Sequence, residues 1–342
     1  MKTYDEAVLA CFLEQQGKLF DEPVAESPEE AEEFLEDCMA VVVNSAREAL
    51  AYFEEEGVDL EGADEETIFA QIRELVGFLP ANNETEAELA DVTDDLNRVN
   101  PEIANCAGDT KTALAILADD NNFFEVKADF AKEMVTGFLR LNGATVGAVA
   151  NRSEVYDENG KVTEKFDSVL TVNGCEKAAE FINFCDAFDI PVLSLTNVKG
   201  YEATVASEKR IAKAAAKLTY AFANATVPKV NVVVDKAFGT AYVAMNSKAI
   251  GADITIAWPD AQIGTMDAKL AAKIMYDGQG ADVIDEKAAE YEAQTLKVSN
   301  AAKRGYVDQI VEAQDTRKYV IGAFEMLYTK REDRPGKKHG TV

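Results

Sequence analysis

Residues 231–242 read NVVVDKAFGTAY, and this stretch decides the fold. Its β-branched residues predict a buried strand over residues 230–234, and a helix is predicted over residues 241–249. Gly239 lies between the two and permits a tight turn with close approach to the backbone. A strand followed at once by a helix is typical of a parallel sheet, because parallel strands need crossover connections.

The same alternation surrounds this stretch. Further strands are predicted over residues 146–151, 167–172, 190–195 and 253–256, and helices over residues 174–188 and 207–225. Strands that alternate with helices predict an α/β fold with a largely parallel, buried sheet.

The first hundred residues differ in charge from the rest. They carry 28 acidic and 5 basic residues, against 34 acidic and 29 basic ones afterwards. Helical periodicity predicts an acidic, mainly helical module over residues 1–66, with helices at 6–16, 27–43 (a capping-box start at Ser27) and 45–56. Residues 67–104 are predicted as a helix (66–78) with an exposed connector, and residues 105–342 as the α/β domain. Such an acidic chain repels phosphate backbones, so nucleic acids are excluded as partners.

Other function classes lack their signatures. No apolar run is long enough to span a bilayer and no signal peptide is visible, so a cytoplasmic location is expected. The five cysteines are never spaced as CxxC, which predicts reduced thiols and no structural metal site. The one histidine, His339, lies near the end, which argues against Ser-His-Asp or Cys-His catalysis. Dinucleotide and P-loop motifs are absent.

Two turns are candidates for chemistry. In the turn at residues 236–242, free backbone N–H groups at the start of the following helix would form an oxyanion hole for a carbonyl oxygen that gains charge. A second turn at Gly200 follows another strand, and the two could share one crevice. The alternative at both places is an ordinary turn that contains one glycine.

Residues from about 100 onward resemble a known family. The matching stretches run in the family's order: 122–126 (NFFEV), 135–143 (VTGFLRLNG), 146–151 (VGAVAN), 177–182 (KAAEFI), 184–191 (FCDAFDIP), 221–229 (AFANATVPK) and 304–308 (RGYVD). They resemble the C-terminal, biotin-binding half of the carboxyltransferase component of biotin-dependent acyl-CoA carboxylases and sodium-pumping decarboxylases. The resemblance implies a crotonase-like (ClpP/crotonase) ββα spiral domain behind the acidic module.

The resemblance also implies a reaction and its residues. A carboxyl group would move between a biotin carried on a separate protein and an acyl-CoA, with Gly239, Thr240 and Ala241 stabilising the biotin ureido oxygen. Val243 would line the acyl pocket, and its apolar side chain favours a substrate without a terminal charge. The expected partners are a CoA-binding carboxyltransferase half or subunit and a biotin carboxyl carrier protein, in a homo- or hetero-oligomer that could attach to a membrane through a decarboxylase complex.

The cofactor-binding residues implied by position are Gly200, Tyr201, Arg210 and Asp267. Several positions depart from the family pattern. Thr240, Arg210 and Asp267 each stand where a glycine is usual, and Lys213-Ala214-Ala215 stands where the family has Arg-His-Gly. These departures support an alternative, a non-catalytic paralogue that completes the complex structurally. A third hypothesis, a crotonase-type hydratase or isomerase, needs paired acid–base carboxylates that the sequence does not reveal.

Overall fold

The computed structural model describes residues 27, 28, 30, 31, 65–83, 85, 87, 89–156 and 160–332. The chain divides into two compact units, residues 1–72 and 73–342. In the first unit, the Ser27 hydroxyl accepts a hydrogen bond from the Glu30 N–H, as a helix cap does. The helices predicted at 6–16 and 45–56, and most of the one at 27–43, lie outside the described residues. The division into three domains at residues 66 and 104 stays a prediction.

The strands are, in chain order, β1 (Phe123–Glu125), β2 (Met134–Leu141), β3 (Ala144–Asn151), β4 (Glu154–Tyr156), β5 (Val162–Lys165), β6 (Val169–Leu170), β7 (Val192–Val198), β8 (Gly200–Tyr201), β9 (Lys229–Phe238), β10 (Ile254–Ala257), β11 (Gln262–Gly264) and β12 (Gln309–Ile310). The helices are α1 (Glu65–Phe78), α2 (Thr110–Leu117), α3 (Val172–Ala187), α4 (Val205–Glu208), α5 (Ile211–Asn224), α6 (Gly239–Ala244), α7 (Ala268–Met275), α8 (Ala281–Tyr291), α9 (Val298–Lys303) and α10 (Thr316–Leu327).

The main sheet has the order β1-β2-β3-β7-β9-β10-β12, and β11 also pairs with β9. Strands β1, β2 and β3 pair antiparallel, whereas every pairing from β3 through β7, β9 and β10 to β12 is parallel. The prediction of an α/β fold with a largely parallel sheet is therefore confirmed.

Strand β9 lies in the middle of this sheet and carries the two-sided core. Val233 faces a cluster that contains residues of α3 and α5, whereas Val232 and Val234 face a second cluster with residues of α2 and α10. Successive side chains point to opposite faces of a strand, so a run of buried valines fits a sheet covered on both sides. The sheet thereby fixes the end of β9, where α6 begins.

Several predicted boundaries are wrong. Strand β9 continues to Phe238, because β11 pairs with its second half. Helix α6 spans Gly239–Ala244 and is followed by a 3₁₀ turn at Lys248–Ile250, in place of one helix over 241–249. The helix predicted over 207–225 is two helices, α4 and α5, and the strand predicted over 167–172 is only the two residues of β6.

Candidate functional site

The junction of β9 and α6 has no intervening loop. Phe238 is still extended, with φ −117° and ψ 138°, and Gly239 already opens the helix with a φ of +62°. A Cβ at Gly239 would lie 3.0 Å from the Thr265 carbonyl oxygen. Glycine is therefore needed here for both its left-handed backbone and its lack of a side chain. The first N–H groups of a helix have no partner within the helix, so those of α6 can bond only to groups outside it.

The second predicted turn is a strand. Gly200 and Tyr201 form β8, which pairs in parallel with Val169 and Leu170 of β6. Tyr201 is half-buried, and β8 lies against the start of α6, with the Tyr201 phenol near the Thr240 side chain. Burial raises the pKa of the Tyr201 phenol, and the nearby Thr240 side chain partly opposes that effect. The two turns singled out in the sequence are therefore in contact.

An open crevice of about 780 Å³ has Tyr201 in its wall. Its walls come from the segments at 131–133, 165–173 and 201–210, and they include Glu133, Thr171, Tyr201, Ser207 and Arg210. Small-molecule sites in proteins typically measure about 300–1,000 Å³, so the crevice has the size of a ligand site.

Arg210 does not close this crevice. Its guanidinium pairs with the Glu176 carboxylate at 3.3 Å, at the exposed surface of α3. Thr240 is likewise exposed and is turned toward Tyr201. The Arg210 and Thr240 side chains therefore leave the crevice open.

The other sequence-predicted residues are spread around the corner. Gly239, Thr240 and Ala241 form the first turn of α6 and do not themselves line the crevice. Val243 is half-buried one turn further along α6. Asp267 is exposed and caps α7. Its carboxylate accepts hydrogen bonds from the N–H groups of Lys269 and Leu270 at 3.0 and 3.2 Å. The structure joins Tyr201 to Thr240 but does not bring Asp267 to the crevice.

Two groups of crevice residues were not singled out from the sequence. Thr204 and Ser207 form a capping box that starts α4, and the Thr-x-x-Ser pattern is a signal for it. Glu133 accepts a hydrogen bond from the Thr171 hydroxyl at the start of α3. No local pattern marks Glu133, because its partner lies 38 residues away.

The cysteine side chains in the described part of the chain are poor nucleophiles. Cys106, Cys175 and Cys185 are free thiols, whereas Cys11 and Cys38 lie outside the described residues. Burial raises the pKa of Cys175 to about 12, and burial also raises the pKa values of Cys106 and Cys185. Because the thiolate is the reactive form, these three residues do not supply covalent chemistry.

The fold and this corner define a class, the crotonase-like α/β proteins of the carboxyltransferase type. The chain belongs to the carboxyl transferase domain family, whose model matches residues 43–342. It is 40% identical over 291 residues to a protein of Bacillus subtilis (strain 168) that is named putative propionyl-CoA carboxylase beta chain. The aligned region covers 82% of this chain and 55% of that protein. It is 36% identical over 315 residues to the methylmalonyl-CoA decarboxylase subunit alpha of Veillonella parvula, covering 90% and 58%.

Solved structures agree. A crystal structure of transcarboxylase 12S, described as a hexamer with hydrolysed methylmalonyl-coenzyme A bound, matches with a TM-score of 0.72 and 38% identity over 79% of this chain and 53% of that one. The crotonase-like fold predicted by resemblance is thus confirmed. This chain spans a little over half the length of these relatives. Among the described helices, none has the length and apolar character that crossing a bilayer requires.

Proposed function

We propose that this chain is a subunit of an acyl-CoA carboxyltransferase and presents the biotin-facing half of its active site. Membership of the carboxyl transferase domain family over residues 43–342 carries the proposal, because relatives with 36–40% identity are named for propionyl-CoA and methylmalonyl-CoA chemistry. The proposed partners are a biotin carrier and a CoA-binding unit. The proposed location of the reaction is the cytoplasm. The proposed acyl group has no terminal charge, because the half-buried Val243 is apolar.

The residues at the corner suit a carried biotin. When bound, carboxybiotin supplies the carboxyl group that is transferred. The crevice of about 780 Å³ has room for a bicyclic ring, with the Tyr201 phenol and the Ser207 hydroxyl in its walls, and its Tyr201 wall lies against the first turn of α6. The N–H groups of Gly239, Thr240 and Ala241 are preorganised donors for an oxygen that gains negative charge. Such donors act without reorganisation, and each typically lowers a barrier by about 2.7–4 kcal/mol.

An apolar surface next to this corner is the proposed docking site for the CoA-binding unit. We call it the α7–α8 face, and it comprises Leu270, Ile274, Met275, Tyr276 and Val283, which are 36–62% exposed. The face begins at Leu270, five residues after Thr265 in the sequence. The Thr265 carbonyl oxygen lies beside Gly239, so the start of the face is near the first turn of α6. A partner that covers this face would therefore bring its own substrate close to the first turn of α6.

Reconstitution tests the proposed function. Mixing this chain with a CoA-binding carboxyltransferase subunit and supplying biotin and malonyl- or methylmalonyl-CoA is expected to give carboxyl transfer that depends on this chain. Ile274→Glu is expected to weaken association and activity together, because it places a charge in the α7–α8 face. Met326→Glu on α10, a residue that is 77% exposed, is the matched control and should leave both unchanged. Equal transfer without the chain would refute the proposal.

The departures from the family pattern at Arg210, Ala214, Ala215, Thr240 and Asp267 support one alternative, a non-catalytic paralogue. Thr240→Gly distinguishes the two. If backbone donors carry the reaction, this variant keeps kcat in the same order of magnitude as the wild type, because every N–H group remains. For a paralogue, the wild type is inert, and Thr240→Gly combined with Asp267→Gly gives no gain. The measurement is the rate of carboxyl transfer, with biotin binding by calorimetry alongside it.

A further inference from the structure

A buried lysine holds one wall of the crevice. Lys177 lies on α3 and is 2% exposed, and its amine donates to the Phe130 carbonyl at 2.7 Å and reaches the Ala131 carbonyl at 3.5 Å. Both acceptors belong to the loop at residues 126–133, which connects β1 to β2. Ala131 and Glu133 of the same loop line the crevice. Lys177 therefore contacts the loop but does not itself line the crevice.

A second buried cation completes this attachment. Arg152 donates from Nε to the Lys132 carbonyl at 2.8 Å, and its backbone N–H donates to the Glu133 carbonyl at 2.8 Å. The four successive carbonyl groups of residues 130–133 are thus all bonded by Lys177 and Arg152. The loop also has left-handed backbone at Lys127 and Ala131, with φ of 55° and 47°. Non-glycine residues adopt this conformation only when their surroundings enforce it, so the wall depends on these bonds.

Four charged side chains act on the Lys177 amine. Glu125 belongs to β1 and Arg152 follows β3, whereas Glu133 and Lys127 belong to the loop itself. Glu125 is itself paired with Lys111 at 2.8 Å. Burial lowers the pKa of the Lys177 amine to about 8; Glu125 opposes this effect, Arg152 adds to it, and Glu133 and Lys127 have smaller opposing and adding effects.

We propose that Lys177 is a positioning residue for the crevice: its amine, bonded to the Phe130 and Ala131 carbonyls, holds the 126–133 loop closed, and protonation of the amine increases the population of an open loop in which Ala131 and Glu133 leave the wall. The direction follows from linkage. An open loop lets water reach the amine, whose pKa then returns toward the ordinary value of about 10.4, so the open form binds the proton more tightly. Raising the pH from 7 to 9 therefore disfavours opening, by about tenfold.

The inference uses the proposed function only to name the ligand of the crevice, and its test needs neither ligand nor partner. Hydrogen exchange of a peptide that spans residues 126–134 is measured from pH 7 to pH 9, as protection factors that divide out the chemical exchange rate. Its amides at Val126, Phe130 and Met134 are hydrogen-bonded and report on closure. The wild type should gain about tenfold in protection with pH, whereas helix α5 should not change.

Variants separate the titration of Lys177 from its packing. Lys177→Met removes the titrating group and should give protection that does not vary with pH. Lys177→Arg keeps a permanent charge and should stay weakly protected throughout. Lys132→Met, an exposed lysine of the same loop paired with Glu164, should respond like the wild type. If the Lys177 variants do not fold, the wild-type profile decides by itself. A flat wild-type profile overturns the inference and leaves the proposed function intact, and failed reconstitution does the reverse.

Discussion

Replacing Gly239 by alanine is expected to lower kcat for carboxyl transfer in the reconstituted complex about 10²- to 10³-fold. Alanine is strained at the φ of +62°, and its Cβ would lie 3.0 Å from the Thr265 carbonyl oxygen. The start of α6 then shifts, and the N–H groups of its first turn no longer point where the sheet places them. The loss should appear in kcat more than in KM, since these donors act on charge that develops during the reaction.

Gly322→Ala is the matched control for this change. Gly322 lies inside α10, where an added Cβ meets no atom within 4 Å, so alanine should be tolerated and even stabilise the helix by about 0.5–1 kcal/mol. Circular dichroism of both variants would establish that each is folded. If folded Gly239→Ala transfers carboxyl groups as fast as the control, the oxyanion role of this turn is refuted.

The largest effect on stability is expected from Arg317→Met, about 3–5 kcal/mol lost from the free energy of unfolding. Arg317 is 3% exposed and lies on α10. Its guanidinium pairs with the Asp119 carboxylate at 2.6 Å and also donates to the Leu117 carbonyl. Asp119 in turn accepts the N–H groups of Asn142 and Gly143, at the turn between β2 and β3. Removing the arginine leaves a buried carboxylate without its cation, which is the costly way to break such a pair.

Urea unfolding followed by tryptophan fluorescence would measure this loss. Trp258 is the only tryptophan of the chain, it is buried, and its indole N–H donates to the Thr316 hydroxyl at 2.9 Å. The probe therefore reports on the residue next to Arg317. Lys318→Met, which removes the same charge from the exposed side of α10, should leave the urea midpoint unchanged. A midpoint for Arg317→Met equal to that of Lys318→Met would show that the buried pair contributes little.

Local patterns predicted the elements that build the sheet. The valines of β9 and the apolar spacing of α3 marked a buried strand and its covering helix. They did not predict that β9 continues through Asp235 and Lys236, because polar residues there resemble a turn. Pairing with β11, a segment about 26 residues further along the chain, keeps that half extended. Boundaries that depend on a distant strand are beyond a local pattern.

The same reasoning separates what could be predicted of the site. The glycine at 239 and the helix after it are local features, and both are present. The start of α4 at Val205 could have been expected from Thr204 and Ser207, which form its capping box, whereas no local signal marks the break before α5. Lys177 gave no such signal, because a lysine within a helical pattern predicts an exposed side chain. Its partners lie 46 and 47 residues earlier, so only the folded chain shows its position.

The direct passage from β9 into α6 has a consequence for the proposed reaction. If the N–H groups at the start of α6 act as proposed, they share the stiffness of a central strand and stay in place through the reaction cycle. Under that proposal the carrier covers the whole distance to these donors, so a long, mobile tether on the carrier would suit this chain better than a hinge within it.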